Sequence, residues 1–158
     1  MPALERLYTI APSFRAEKSR TRRHLTEFWH AEMEVAWASN SEIMSHGEGL
    51  VRHIAKTVLE ERESELSSID RDLDLLARYA DNPYPRMRYD EAVETLQGMG
   101  IEIEWGQDLD YSKEKVLTQD FEVPHFLTHY PKIAKPFYHR VDPDDGNYVL
   151  CHDLLAPE

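Results

Sequence analysis

The chain has little of three things: cysteine, long hydrophobic runs and positive charge. Its one cysteine, Cys151, excludes an internal disulfide and agrees with a reducing compartment. No apolar run approaches the roughly 20 residues of a membrane span, and the first residues lack a signal peptide's apolar core, so we expect a cytoplasmic protein with no membrane partner. Lys and Arg number 18 against 30 Asp and Glu, for a net charge of -12. This charge disfavours a protein that mainly coats nucleic acid or anionic membranes.

The 158 residues, 41% of them hydrophobic, are typical of one soluble domain. The apolar pattern predicts a helix from Ser41 to about Leu66 and a second helix that is N-capped by Asp90 and continues through Leu96. It also predicts strands at 6–14, 28–37, 101–105, 126–130 and 148–155. Because strands and helices do not alternate regularly, the order favours an α+β fold, with an antiparallel sheet flanked by helices.

Positive charge is concentrated in the loop between the first two predicted strands. This loop holds five cations: Arg15, Lys18, Arg20, Arg22 and Arg23. Such a run is usually a solvated turn, but its neighbours suit a nucleotide. Arg15 can bind a phosphate, Glu17 on the same face of an extended backbone can accept from an amino group, and Phe28 can stack on a base.

Residues 7–32 read LYTIAPSFRAEKSRTRRHLTEFWHAE. This stretch closely resembles motif 2 of the class II aminoacyl-tRNA synthetases, in the form found in the asparaginyl enzymes, whose near relatives are the aspartyl enzymes. Collinear resemblances follow at 89–97, 103–109, 130–138 and 153–157. The resemblance thus covers nearly all of 1–158, with motif 2 at about 5–37, and implies part of a class II catalytic core. Motif 1, motif 3 and the OB anticodon domain are expected to be absent.

The resemblance implies that ATP activates asparagine to an aminoacyl adenylate, from which the asparaginyl group passes to tRNA. Arg15 would be the catalytic residue, holding the α-phosphate and the amino acid carboxylate. The implied ATP-binding residues are Arg15, Ala16, Glu17, Arg23, His24, Leu25 and Phe28. Lys135 and Tyr138 lie in a block that borders the substrate pocket in this family.

Two acidic residues carry further implied roles. Glu32, together with Arg15, would bind the amino acid, because a carboxylate accepts from the carboxamide of asparagine and repels aspartate. The alternative for Glu32 is a pair with a structural arginine. Asp153 matches the family's aspartate near the Mg2+ that accompanies ATP, although the glutamate that follows it in the family has no counterpart here.

A zinc site is disfavoured, because two ligands separated by a gap of three residues, as in His125-x-x-x-His129, do not converge on a strand as they would on a helix. Its candidate ligands would be His125, His129, His139, Cys151 and His152.

Three functional hypotheses follow from these features. The first is an asparagine-tRNA ligase, or a fragment of one, which binds ATP, asparagine and the tRNA acceptor end and works as a homo-oligomer or with a complementing synthetase fragment. The second is a stand-alone enzyme resembling asparagine synthetases or aspartyl-tRNA ligases. The third is a remnant that binds a nucleotide or a protein without catalysis.

Overall fold

A computed structural model describes residues 4–16, 24–119 and 121–157. The predicted site residues Glu17 and Arg23 lie outside these ranges. The chain divides into two compact units, 1–39 and 40–158. Among the described residues, none of the helices has both the length and the apolar character required to cross a bilayer.

The first unit is an antiparallel hairpin of β1 (Arg6–Phe14) and β2 (Glu27–Val35). Its ladder continues one pair beyond each end, since the Arg15 N–H donates to the Thr26 carbonyl at 2.9 Å and the Ala36 N–H donates to the Glu5 carbonyl at 2.7 Å. Both strand predictions are confirmed, but β2 ends two residues early. Trp37 has a φ of 66°, which lies in the left-handed region and cannot extend a strand.

The same hydrogen bonds show how Pro12 fits inside β1. The two flanking pairs, Arg15–Thr26 and Glu5–Ala36, are hydrogen-bonded, so by alternation the odd-numbered residues of β1 form the hydrogen-bonded pairs with β2. Pro12 is even-numbered, so its ring nitrogen faces away from β2 and no ladder bond is lost.

The second unit contains five helices and three strands within the described residues, together with a 3-10 turn at Lys132–Ala134. They are α1 (Asn40–Glu61), α2 (Glu63–Ser68), α3 (Leu73–Asp81), β3 (Arg86–Arg88), α4 (Tyr89–Gly98), α5 (Tyr111–Thr118), β4 (His125–Pro131) and β5 (Tyr148–Leu155). The sheet order is β3-β4-β5, with β4 antiparallel to β5 and parallel to β3. The α+β class is therefore confirmed, and the short parallel strand β3 was not predicted.

The main core of this unit lies between α4 and the β4–β5 pair. Residues of α4 at the spacing i, i+3, i+4, i+7 are buried, namely Tyr89, Ala92, Val93 and Leu96, which is the pattern of a helix with one apolar face. They pack with Leu127, Tyr130 and Val149 from the strands. Each large side chain buried in this way stabilises the fold by about 1.5–3 kcal/mol.

The prediction of one helix reaching Leu66 is wrong. Helix α1 ends at Glu61, and Arg62 leaves the helical region with φ -137° and ψ 28°. The last turn of α1 contains no basic residue that would stabilise the partial negative charge of its C-terminal carbonyl groups. Glu61 and Glu65 would also stand as like charges four apart in a continuous helix, which is unfavourable.

The N-cap assigned to Asp90 is also wrong. The N-cap position is taken by Arg88, two residues earlier, so that α4 begins at Tyr89, and the Glu91 carboxylate accepts from the Arg88 N–H at 2.7 Å. The Asp90 carboxylate instead accepts from Trp105 Nε1 at 2.8 Å and from the Tyr148 hydroxyl at 2.7 Å. Asp90 thus ties the start of α4 to two distant segments.

Residues 101–105 alternate in burial as predicted, but the structure does not place them in a strand. Ile103 is buried between exposed Glu102 and Glu104. The Ile103 carbonyl accepts from Gln97 Nε2 at 2.9 Å, and the Glu104 N–H donates to Gln107 Oε1 at 3.2 Å. Side chains therefore satisfy the backbone groups that a neighbouring strand would otherwise bind.

The histidines considered for zinc have separate surroundings. His125 is fully buried and stacks on Phe121 with ring centroids 4.0 Å apart. The Nδ1 atom of His152 lies 2.7 Å from Asn40 Oδ1, and His129 Nε2 lies 3.8 Å from Asp142 Oδ2. Within the described ranges, no group of three or more His, Cys, Asp or Glu side chains could hold a metal ion.

Burial of His125 predicts a loss of stability in mild acid. Its ring nitrogens have no hydrogen-bond partner among the described residues, and burial lowers its pKa to about 4 because a charged imidazolium would lose its hydration. Between pH 6.5 and 4 the unfolded chain therefore binds a proton that the folded chain does not, so the free energy of unfolding falls as the pH falls.

This loss is measured by urea unfolding at several pH values. His125→Phe keeps an aromatic ring on Phe121 and removes the titration, so its free energy of unfolding should vary less steeply with pH, by up to about 1.4 kcal/mol per pH unit. His53→Phe, at an exposed position of α1, is the matched control. Equal slopes for wild type and His125→Phe would contradict the role of His125.

Candidate functional site

The hairpin sorts its side chains onto two faces. Directly opposed residues share a face in an antiparallel pair, and the register pairs Ser13 with Phe28, Ala11 with His30, and Thr9 with Glu32. Period two then places Arg15 on the same side as Ser13. The opposite face carries large apolar side chains that are mostly exposed: Tyr8, Ile10, Phe14, Trp29 and Met33.

Arg15 and Phe28 form the first contact on the polar face. The guanidinium carbon of Arg15 lies 5.9 Å from the centroid of the Phe28 ring, which is within cation–π range. The Arg15 backbone is held by its hydrogen bond to Thr26, while its side chain is exposed and available to an anion. A permanent cation beside an aromatic ring suits a ligand with both phosphate and base.

The same face continues through His30 to Glu32. The rings of Phe28 and His30 lie 5.7 Å apart, and His30 Nδ1 is 3.6 Å from Glu32 Oε1. His30 was not predicted as a site residue. Its position midway between Phe28 and Glu32 on an alternating strand places it on the same face, and this pattern could have indicated its role. The structure therefore brings three of the predicted residues, Arg15, Phe28 and Glu32, into one row with His30.

The remaining predicted nucleotide residues flank the undescribed part of the loop. Ala16, His24 and Leu25 are exposed and lie outside the strands. Trp29, part of the asparaginyl-type pattern, lies on the opposite face from Glu32, since the two are three residues apart on one strand.

In the second unit, Asp153 belongs to a compact charged cluster. Lys135 Nζ lies 3.1 Å from Asp108 Oδ1 and 3.5 Å from Asp153 Oδ2. The same nitrogen is 3.8 Å from the centroid of the Tyr130 ring. Neither Asp108 nor its pairing with Lys135 was predicted, because these residues are 27 positions apart.

The electrostatics of this cluster follow from burial and from the two carboxylates. For Lys135, burial lowers the pKa, but Asp153 and Asp108 raise it more, so the pKa is raised overall and the amine stays charged. Burial and the nearby Asp153 raise the pKa of the Tyr130 phenol. Burial raises the pKa of the Cys151 thiol, and the Lys135 charge opposes that shift.

These surroundings do not suit Asp153 as a ligand of a resident Mg2+. Mg2+ requires near-octahedral oxygen ligands at 2.0–2.1 Å, whereas the Asp153 carboxylate faces an ammonium group. The Asp108 carboxylate is likewise paired with this ammonium. Tyr138, from the same predicted block, is exposed and contacts the rings of Phe137 and His139.

Comparison with known proteins decides the family. The family model described as tRNA synthetases class II (D, K and N) matches residues 1–158. The chain belongs to this family. The resemblance seen in motif 2 is thereby confirmed, and with it the class II catalytic fold.

Proteins similar to this chain include asparagine–tRNA ligases. The chain is 51% identical over 155 residues to the asparagine–tRNA ligase of Thermococcus gammatolerans and 48% identical over 156 residues to that of Thermoplasma acidophilum. These two alignments include 98% and 99% of this chain, respectively, and 36% of each relative.

Among solved structures, asparaginyl-tRNA synthetase from Pyrococcus horikoshii complexed with asparaginyl-adenylate is similar at 48% identity with a TM-score of 0.95. The match covers 99% of this chain and 36% of that one. The chain thus spans about a third of the length of the relatives that it matches.

Proposed function

We propose that the chain takes part in ATP-dependent activation of asparagine and in transfer of the asparaginyl group to tRNA, alone or with a complementing synthetase polypeptide. The observation that carries the proposal is the row of Arg15, Phe28 and Glu32 on one face of the hairpin. Similarity to asparagine–tRNA ligases at about 50% identity supports the choice of reaction. Protein synthesis in the cytoplasm is the proposed setting, and a second copy of the chain is a further candidate partner.

Arg15 is the residue proposed to act on the reacting atoms. A carboxylate oxygen of asparagine attacks the α-phosphorus of ATP, the bond to the bridging oxygen breaks, and pyrophosphate leaves. Negative charge grows on the α-phosphoryl oxygens, and the planar guanidinium can donate to them while also holding the attacking carboxylate. Both reactants are then held together by one fixed cation, which lowers the entropic part of the barrier.

The rest of the hairpin is proposed to hold ATP. Phe28 provides the aromatic surface for adenine, and the ATP-binding role of Ala16, Glu17, Arg23, His24 and Leu25 follows from motif 2. Mg2+ is proposed to enter with ATP as part of that substrate, and no step is assigned to Asp153. The tRNA acceptor end is the proposed second substrate.

Glu32 is proposed to recognise the asparagine side chain. Its carboxylate lies 3.6 Å from His30 Nδ1, a contact that limits its orientation. A carboxylate held there can accept from the NH2 group of asparagine, and it repels the carboxylate of aspartate.

Amino-acid-dependent pyrophosphate exchange tests the proposed reaction. We expect exchange with asparagine, and neither with aspartate nor without amino acid, from the chain alone or with a complementing polypeptide. Arg15→Ala should lower the rate by about 100- to 1,000-fold, as loss of a donor to developing negative charge does. Arg6→Ala, on the opposite face of β1, is the matched control.

Two results would overturn this assignment. The first is exchange by Arg15→Ala at the rate of the control variant. The second is the absence of exchange in every mixture despite measurable ATP binding, which would leave a non-catalytic nucleotide-binding protein.

Substitution of Glu32 tests amino acid selection. Glu32→Gln keeps the size of the side chain and removes its charge, so the preference for asparagine over aspartate in the exchange assay should fall by about 10- to 100-fold. Glu34→Gln, two residues further along the same face, makes the same change of charge and is the control. An unchanged preference in Glu32→Gln would assign Glu32 a structural role only.

A further inference from the structure

In the second unit, the ammonium group of Lys135 lies between the carboxylates of Asp108 and Asp153. Lys135 follows the 3-10 turn after β4, Asp153 lies on β5, and Asp108 lies in the segment before α5. Lys135 Nζ contacts both carboxylates, at 3.1 Å to Asp108 Oδ1 and 3.5 Å to Asp153 Oδ2. Three separate parts of the chain therefore converge on this single cation.

The position of the ammonium is well defined. The Tyr130 ring lies against it at 3.8 Å, and only 16% of the Lys135 side chain is exposed, against 46% and 62% for the side chains of Asp153 and Asp108. Tyr130 itself is buried in the main core. A buried aromatic ring behind the nitrogen and two carboxylates beside it are the surroundings of a bound cation.

We propose that Lys135 is the built-in cation of an Asp108–Asp153 site, and that its ammonium excludes free divalent metal ions from Asp153. A metal ion bound to either carboxylate would stand next to a charged amine, and like charges at such a separation repel strongly in a partly buried site. Lys135 is thus a positioning residue. Its positive charge offsets one of the two negative charges, and its contacts with Asp108 and Asp153 orient both carboxylates. The inference does not depend on the proposed reaction.

The proposal has a direct consequence for variants. Removing the ammonium leaves two carboxylates that face one vacated point. To reach the oxygen–metal distances of hard cations, the Asp108 oxygen needs to move by about 1 Å and the Asp153 oxygen by about 1.4 Å. Lys135→Met, which keeps an unbranched apolar side chain on Tyr130, should therefore create a divalent cation site where the wild-type chain has none.

Titration of the full chain with Mn2+ in the absence of nucleotide and amino acid tests this proposal. Free Mn2+ is followed by its electron paramagnetic resonance signal. Lys135→Met should bind one Mn2+ at least tenfold more tightly than wild type, and adding Asp153→Asn to that variant should abolish the gain. Lys135→Arg, which retains the charge, should behave as wild type does.

Lys132→Met is the matched control, because it makes the same change in net charge at an exposed lysine three residues away. An equal gain in Lys132→Met would show a general effect of charge and would overturn the proposal. So would tight binding of one Mn2+ by the wild-type chain that Asp153→Asn removes.

A measurement on the wild-type chain keeps the proposal testable if Lys135→Met does not fold. Paramagnetic broadening by Mn2+ acts on nuclei near the ion, so the NMR signals of Tyr130 and Cys151 should broaden no more than those of exposed residues. Selective broadening of Tyr130 at low Mn2+ concentration would place the metal at Asp153 and contradict the exclusion. Pyrophosphate exchange has no part in either experiment, so failure of the proposed reaction leaves this test unaffected.

Discussion

The register of the β1–β2 hairpin is the constraint on which the candidate site depends. Side chains on a strand alternate between faces, so the pairing of Ser13 with Phe28 puts Arg15, Phe28 and Glu32 on one side. A slip of one residue in β2 would carry Phe28 and Glu32 to the other side and leave Arg15 without its ring. The register is favoured by chemistry, because in this pairing Pro12 loses no ladder bond and five large apolar residues share one face, namely Tyr8, Ile10, Phe14, Trp29 and Met33.

The second unit is organised by side chains that link distant segments. Asp90 accepts hydrogen bonds from Trp105 and from Tyr148, which is 58 residues away, so the start of α4, the loop at 105 and the start of β5 are held together. Lys135 does the same with Asp108 and Asp153 through charge. Because each linking group is ionised or hydrogen-bonded at both ends, its removal leaves an unsatisfied partner, which costs more than the contact itself contributes.

Short-range periodicity predicted four of the five strands in the described residues, because alternation is a local property of a strand, and the order of strands and helices predicted the α+β class. Arg15, Phe28 and Glu32 were assigned from the resemblance to motif 2, and the row that they form with His30 was not predicted. Periodicity was wrong about residues 101–105, where the side chains of Gln97 and Gln107 take the place of a neighbouring strand. The cap at Asp90 was misassigned because its partners are far away in the sequence. The Lys135 cluster was missed for the same reason: no local pattern reports a contact across 18 or 27 residues.

The most direct test of the hairpin, and of the site built on it, is the pattern of nuclear Overhauser effects between α-protons across the two strands. Non-hydrogen-bonded pairs have the closest backbones in an antiparallel ladder, with Cα atoms about 4.5 Å apart. The register predicts strong α-proton contacts for Tyr8 with Met33, Ile10 with Ala31, and Phe14 with Glu27. Strong contacts between pairs displaced by one residue, such as Ile10 with Glu32 in place of Ala31, would show a different register. In that register Arg15 and Phe28 lie on opposite faces, which would contradict the account.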